Sequence, residues 1–169
     1  MAILKWKIKP TVKASVKQTG DIEVASSDPQ FKIVKRISPS KRSYARGAIF
    51  ISVTDSLVPI DVRYWIEGKD AVTPTIKGFR IDRDELSKWK QLLEVSPTTL
   101  WGESFKRSTS TELRVCFVEK QGKYSTGVDV RQFVDTAKYT GPTSKGLRFG
   151  LEDWETIRRA LLVRIVTLL

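Results

Sequence analysis

Residues 61–81, DVRYWIEGKDAVTPTIKGFRI, and residues 129–149, DVRQFVDTAKYTGPTSKGLRF, align without a gap at a shift of 68. Eight of the 21 paired positions are identical: the leading Asp, Val and Arg, the Pro, Thr, Lys and Gly of PTIKG and PTSKG, and a second Arg. Many of the remaining pairs are conservative, including Trp65 with Phe133, Ile66 with Val134, Glu67 with Asp135, Phe79 with Leu147 and Ile81 with Phe149. This is an internal duplication. It constrains the fold more than any single motif, because each repeat is one supersecondary unit and both must take the same architecture.

Each copy has the same local grammar. The segments 58–66 (VPIDVRYWI) and 126–134 (TGVDVRQFV) alternate with period two and are rich in β-branched and aromatic residues, which predicts strands. Upstream lie two more such runs, AIFISVTD (48–55) and LRVCFVEK (113–120), joined to them by SL and QGKYS, lengths suited to hairpins. After each Pro-Thr comes a short apolar run and then acidic helix-start chemistry, from Asp82 and from Gly150. Leu86, Trp89 and Leu93 form one stripe, and Trp154, Ile157, Leu161 and Ile165 another, so Trp89 and Trp154 are expected in the core. FKIVKRI (31–37) adds a first strand to copy one, joined by the basic loop 38–47, whereas ESFKR (103–107) is a poorer strand at the matching place in copy two. The segment 95–103 reads as a short crossover.

The expected fold is therefore α+β, with two tandem units of curved antiparallel sheet, about four strands each, and a C-terminal helix after each sheet. The divisions are a basic β extension over 1–28, a first ββββα repeat over 29–97 and a second over 98–169. In the extension, LKWKIK alternates apolar and lysine residues, as an edge hairpin or as an electrostatic arm of a binding surface.

Side-chain chemistry narrows the function classes. The chain has one cysteine, Cys116, and no histidine, which excludes disulfide frameworks, Cys/His zinc sites and His-based triads. No acidic cluster is gathered for a metal, since Asp55, Asp61 and Asp129 are scattered along strands; no enzyme, cofactor or metal is expected. The net charge of +11 points to a polyanionic partner. Residues 1–50 carry 11 basic and 3 acidic side chains, residues 51–110 carry 9 and 9, and residues 111–169 carry 10 and 7, so the excess is concentrated in the N-terminal third. MAILKWKIK contains no secretory apolar region and no bilayer span, which predicts an intracellular protein that is not secreted and has no membrane partner.

Residues 51–93, ISVTDSLVPIDVRYWIEGKDAVTPTIKGFRIDRDELSKWKQLL, resemble the DNA-binding core of the positive-cofactor-four family of transcriptional coactivators. There a V-S-V-R-D strand, an I-D-I-R-E-Y-W strand, a P-G-R-K-G-I-S-L strand and an amphipathic helix follow in that order, and FKIVK (31–35) is similar to the family's first strand. The likeness covers most of 31–94 and recurs more weakly over about 103–167. It implies curved four-stranded sheets that pair around single-stranded DNA with little sequence preference. With two copies in one chain it further implies an intramolecular pseudo-dimer, either monomeric or part of a higher homo-oligomer. The implied role is nuclear or otherwise DNA-associated, in transcription, replication or repair alongside the transcription or replication machinery, with RNA as the other candidate ligand.

The resemblance carries over particular residues. Arg63 and Trp65 match the family's Arg and Trp on the third strand, with one residue fewer between them, and Lys77 matches the lysine before the glycine of the fourth. Arg131, Phe133 and Lys145 take the same roles in copy two. Cations that track phosphates and flat side chains that stack on any base are what a sequence-tolerant single-strand surface requires. Thr54 and Val118 stand where the family has an arginine, and the aromatic residue after it is missing; Lys41, Arg42, Tyr44 and Arg46 of the basic loop lie where they can compensate. The family's serine-rich, acidic tail is absent.

Alternatives remain open from sequence alone. Arg63 and Arg131 share a strand face with Asp61 and Asp129, so ion pairing competes with phosphate contact. Trp65 suits a core as well as a stacking surface, and Lys77 and Lys145 suit solvated strand ends. Gly78 and Gly146 point to a bulge or a close backbone approach. A structural module tethered by a basic arm to RNA, chromatin or a capsid is the second functional reading. Because it keeps Trp65 and adjoins the basic loop, the first copy is expected to bind more strongly.

Overall fold

A computed structural model describes residues 32–39, 44, 46–53, 59–69, 72–95 and 102–169. The expected N-terminal hairpin, the SL join and most of the linker lie outside these residues. Among the described residues, eight strands and two principal helices run in the order β1 (Lys32–Ile37), β2 (Gly47–Val53), β3 (Ile60–Glu67), β4 (Val72–Ile81), α1 (Leu86–Glu94), β5 (Gly102–Lys106), β6 (Thr111–Val118), β7 (Gly127–Asp135), β8 (Thr140–Gly150) and α2 (Leu151–Leu168). Two antiparallel four-stranded sheets result, β1-β2-β3-β4 and β5-β6-β7-β8. The duplicated ββββα pattern is thus present, with ESFK of the weak ESFKR segment a true strand paired along β6.

The shift of 68 relates β1 to β5 and β3 to β7, but the central hairpins differ. Phe50 pairs with Arg63 in the first sheet and Arg114 with Arg131 in the second, so β2 and β6 are related by a shift of 64. Four residues have moved from one turn of the hairpin to the other. The β6–β7 turn closes through Gln121 and Tyr124, whose backbones exchange hydrogen bonds of 3.0 and 2.9 Å, with Gly122 at φ +55° in the tight turn.

One face of each sheet is apolar. Ile49, Ile51, Ile60, Val62, Tyr64, Phe79 and Ile81 from the first sheet and Leu113, Val115, Val128, Val130, Leu147 and Phe149 from the second are buried in a single continuous core. The helices supply Leu86, Trp89 and Leu93, and Trp154, Ile157, Leu161 and Ile165, as their stripes predict. Each helix reaches the other unit. Trp89 stacks between Phe79 of its own sheet and Phe105 of β5, and Lys88 Nζ donates to the Ser104 carbonyl at 2.8 Å. In return α2 lies along β1, and Arg158 Nη1 donates to the Leu93 carbonyl at the end of α1 at 2.6 Å.

The edge strands β4 and β8 meet between the sheets, where Phe79 and Phe149 pack edge-on at 6.5 Å. Arg107, just after β5, closes the seam from the other side: it pairs with Asp82 and with Glu85 (2.9 Å) and donates to the Arg80 carbonyl at 2.6 Å. A cation of the second unit thereby anchors the turn that starts the first unit's helix.

Candidate nucleic-acid interface

PTIKG and PTSKG build the same device twice. Arg63 pairs with Gly78 and Trp65 with Pro74, so only Tyr64 stands opposite Thr75, Ile76 and Lys77, and β4 bulges. In the second sheet Arg131 pairs with Gly146 and Phe133 with Pro142, leaving Gln132 opposite Thr143, Ser144 and Lys145. A proline is tolerated at these sites because each lies on an edge strand beside a bulge.

Threonine staples the bulge. Thr75 Oγ1 donates to the Tyr64 carbonyl at 2.7 Å and accepts from the Lys77 backbone N–H at 3.1 Å. Thr143 does the same with the Gln132 carbonyl (3.0 Å) and Lys145 N–H (3.2 Å). Arginine locks it from the outer face: Arg63 Nη1 donates to the Thr75 carbonyl at 2.8 Å, while its Nε and Nη2 grip Asp61 at 3.1 and 2.9 Å. Arg131 repeats this with the Thr143 carbonyl at 2.9 Å and Asp129 at 3.0 and 3.3 Å. Glycine completes it, because a Cβ at Gly78 would stand 2.7 Å from the Val62 carbonyl oxygen and one at Gly146 2.5 Å from that of Val130. Five of the eight identical residues of the duplication, Asp, the first Arg, Pro, Thr and Gly, therefore share one structural cause, and the ion-pair alternative for both arginines is what forms. Three of the five donors of each guanidinium are engaged and two are left over.

The outer faces on which these arginines lie are not alike. On the first sheet Trp65 is half-buried in a small apolar cluster of Ile33, Ala48, Phe50 and Val72, with Phe50 edge-on at 5.8 Å. Asp61, only 4% exposed, bridges Arg63 and Arg80, each at 2.9 Å. On the second sheet Phe133 takes the place of Trp65 and Arg114 that of Phe50. The Arg114 guanidinium lies 4.1 Å from the Phe133 ring centroid and pairs with Glu112. Arg148 similarly lies 5.3 Å from the exposed ring of Tyr124.

Lys77 and Lys145 are exposed at the bulges. The Lys77 ammonium is 5.7 Å from the Tyr44 ring, but that ring is buried in the core against Tyr64, at 4.8 Å, and so presents no open face to a base. Burial pushes the Tyr44 hydroxyl above its ordinary pKa, against a hydrogen bond with the Arg148 backbone, so Tyr44 itself also touches the second sheet. Arg46 is exposed, with its carbonyl receiving the Glu67 N–H at 2.9 Å. Lys41 and Arg42 lie outside the described residues.

Arg114 is the residue that sequence reasoning passed over. It lies outside the aligned 21 positions, and only the β6–β7 register, displaced by four from the duplication, brings it beside Arg131 and Phe133. The described residues contain no group of three or more His, Cys, Asp or Glu side chains able to hold a metal. None of their helices is long and apolar enough to cross a membrane. No protein-family model and no characterised protein matches the chain.

Proposed function

We propose that this chain is a non-enzymatic, largely sequence-tolerant single-stranded nucleic-acid-binding protein. In this reading its two sheets are an intramolecular pseudo-dimer of units like those of the positive-cofactor-four family, and its ligand is DNA exposed during transcription, replication or repair. The observation that carries the reading is the repeated placement of a fixed arginine next to an aromatic ring on an outer sheet face, Arg63 with Trp65 and Arg131 with Phe133, each flanked by an exposed lysine at the bulge. Guanidinium and ammonium groups serve phosphates and rings serve bases, which suffices for binding without reading sequence. The net charge of +11 supplies long-range attraction to a polyanion.

Competition titrations with a labelled thymidine oligonucleotide test this. Binding is expected to weaken steeply as salt rises, since phosphate contact releases counterions. Trp65→Leu with Lys77→Gln is expected to weaken it about tenfold, within the range for losing one stacked base and one phosphate contact, with circular dichroism unchanged. Equal affinity for duplex and single strand would reduce the interaction to diffuse charge. Absence of binding to either would favour the second reading, an interaction module tethered by its basic arm; the exposed Val163, Val166 and Leu169 along α2 are what it would use.

A further inference from the structure

The two units differ at the end of the sheet where the β5–β6 and β7–β8 turns come together. Glu67 in β3 and Asp135 in β7 are equivalent in the duplication, yet their carboxylates are treated differently. Glu67 is closed off by Arg36 of β1, whose Nε and Nη2 donate to its two oxygens, each at 2.7 Å. The residue of β5 matching Arg36 is Ser104, so Asp135 receives no guanidinium. Its Oδ1 accepts from Thr140 Oγ1 at 2.7 Å, and no cation among the described residues pairs with it.

Asp135 instead borders a cleft of about 420 Å³, lined by Phe133, by Arg114 and the Glu112 carboxylate that pairs with it, by Lys106 and by the hydroxyl-rich turn 108–111. Hydrogen bonds preset these walls. Asp135 N–H donates to the Ser110 carbonyl at 2.8 Å, Ser108 N–H to the Thr111 carbonyl at 3.0 Å, and the Tyr139 hydroxyl to the Pro142 carbonyl at 2.7 Å. The volume falls within the range of small-ligand sites, about 300–1,000 Å³. An aromatic ring capped by a guanidinium plane on which a base can itself stack, the unpaired Asp135 carboxylate and an exposed ammonium are the three partners that a base face, a base edge and a phosphate need.

We propose that this cleft is a single-nucleotide subsite of the second unit and that it prefers guanine. The inference rests on the nucleic-acid reading above. A carboxylate accepts best from two adjacent N–H donors, and guanine alone offers these, at N1 and N2, on its Watson–Crick edge; adenine and cytosine offer one amino group and thymine one imino group. The base lies by Phe133 and Arg114, its N1–H and N2–H donate to Asp135, and its phosphate meets Lys106. The first unit has no such subsite, because Arg36 occupies the equivalent carboxylate.

The test compares a short thymidine oligonucleotide with the same strand carrying one central guanosine, both unlabelled, as competitors for a labelled thymidine strand. The guanosine strand is expected to bind about fivefold or more tightly, the lower end of what one bidentate base contact discriminates. Inosine, which lacks the 2-amino group, should recover only part of this. Asp135→Asn keeps an acceptor for Thr140 and should abolish the preference, so that the guanosine and thymidine strands then compete equally. Thymidine binding with no preference for guanosine, or a preference that survives Asp135→Asn, overturns the subsite alone. Failure of the thymidine strand to bind overturns the nucleic-acid reading and the subsite with it.

Discussion

Trp89 of the first unit lies flat against Phe105 of the second, ring centroids 4.8 Å apart and planes 11° from parallel. Both side chains are buried, and Phe79 stacks on the other face of the indole at 5.6 Å. A helix from one copy is thus part of the other copy's core. Trp89→Ala is expected to cost about 3–5 kcal/mol, the usual range for emptying a buried aromatic site. Because the core is continuous, urea unfolding should remain a single transition in which tryptophan emission and far-ultraviolet dichroism coincide. Two separated transitions would show that the units fold independently.

Asp61 and Asp129 occupy equivalent positions but should respond unequally to substitution. The Asp61 side chain is 5% exposed and holds both Arg63 and Arg80, whereas that of Asp129 is 20% exposed and pairs with Arg131. Asp61→Ala leaves the largely enclosed Arg63, 20% exposed, without its carboxylate and is expected to cost about 3 kcal/mol. Asp129→Ala, better solvated, should cost about 1 kcal/mol. Chemical denaturation of the two variants side by side checks the order.

The bulge staple predicts a rescue pattern. Thr75→Val removes a donor to the Tyr64 carbonyl and an acceptor for Lys77 N–H, a loss of about 1–2 kcal/mol. Thr75→Ser should restore most of it, because the hydroxyl alone makes both bonds. Gly146→Ala has no such remedy: its Cβ would stand 2.5 Å from the Val130 carbonyl oxygen and 2.7 Å from Arg131 Cα, both backbone atoms. That variant is expected to lose about 1–3 kcal/mol and to shift the amide resonances of both strands.

Acid should loosen α2 through Glu155. Hydrogen bonds from Arg158 and Arg159 hold its carboxyl down to about 2 from an ordinary 4.5. A carboxylate with a depressed folded-state pKa contributes stability that is present above its unfolded pKa and is lost as pH falls through the folded value. The window is therefore from about pH 4.5 down to about 2. The pair is well solvated, so the effect is small and weakened by salt. Glu155→Gln should flatten the pH dependence of stability across that window at low ionic strength.

Strand positions, helical stripes and the tandem organisation were legible in the sequence because they follow from periodicity and from the duplication itself. Trp89 and Trp154 are fully buried as their stripes require. The bulge was half legible: Gly78 and Gly146 marked a close backbone approach, but the Asp–Arg–Thr lock that explains the identical residues needed the β3–β4 and β7–β8 registers. Tyr44 reads as a loop aromatic and is a core residue, since nothing local reveals that its ring packs against Tyr64. ESFKR looked weak as a strand because only Phe105 faces inward; the rest of β5 is exposed. The contacts each helix makes with the other unit and the seat of Arg114 on Phe133 are purely tertiary, and no pattern within either copy encodes them.

Phe50 and Arg114, facing equivalent arginines across equivalent strands, have a consequence for direction. Two identical sheets would offer an elongated ligand the same landscape from either end, and it would lie both ways round with equal ease. An apolar cluster around Trp65 at one end and a guanidinium-capped ring at Phe133 at the other break that equivalence. On the single-strand reading proposed above, a chain that carries both copies is free to let them diverge, as a pair of identical subunits is not, and would thereby distinguish head from tail in the strand it binds.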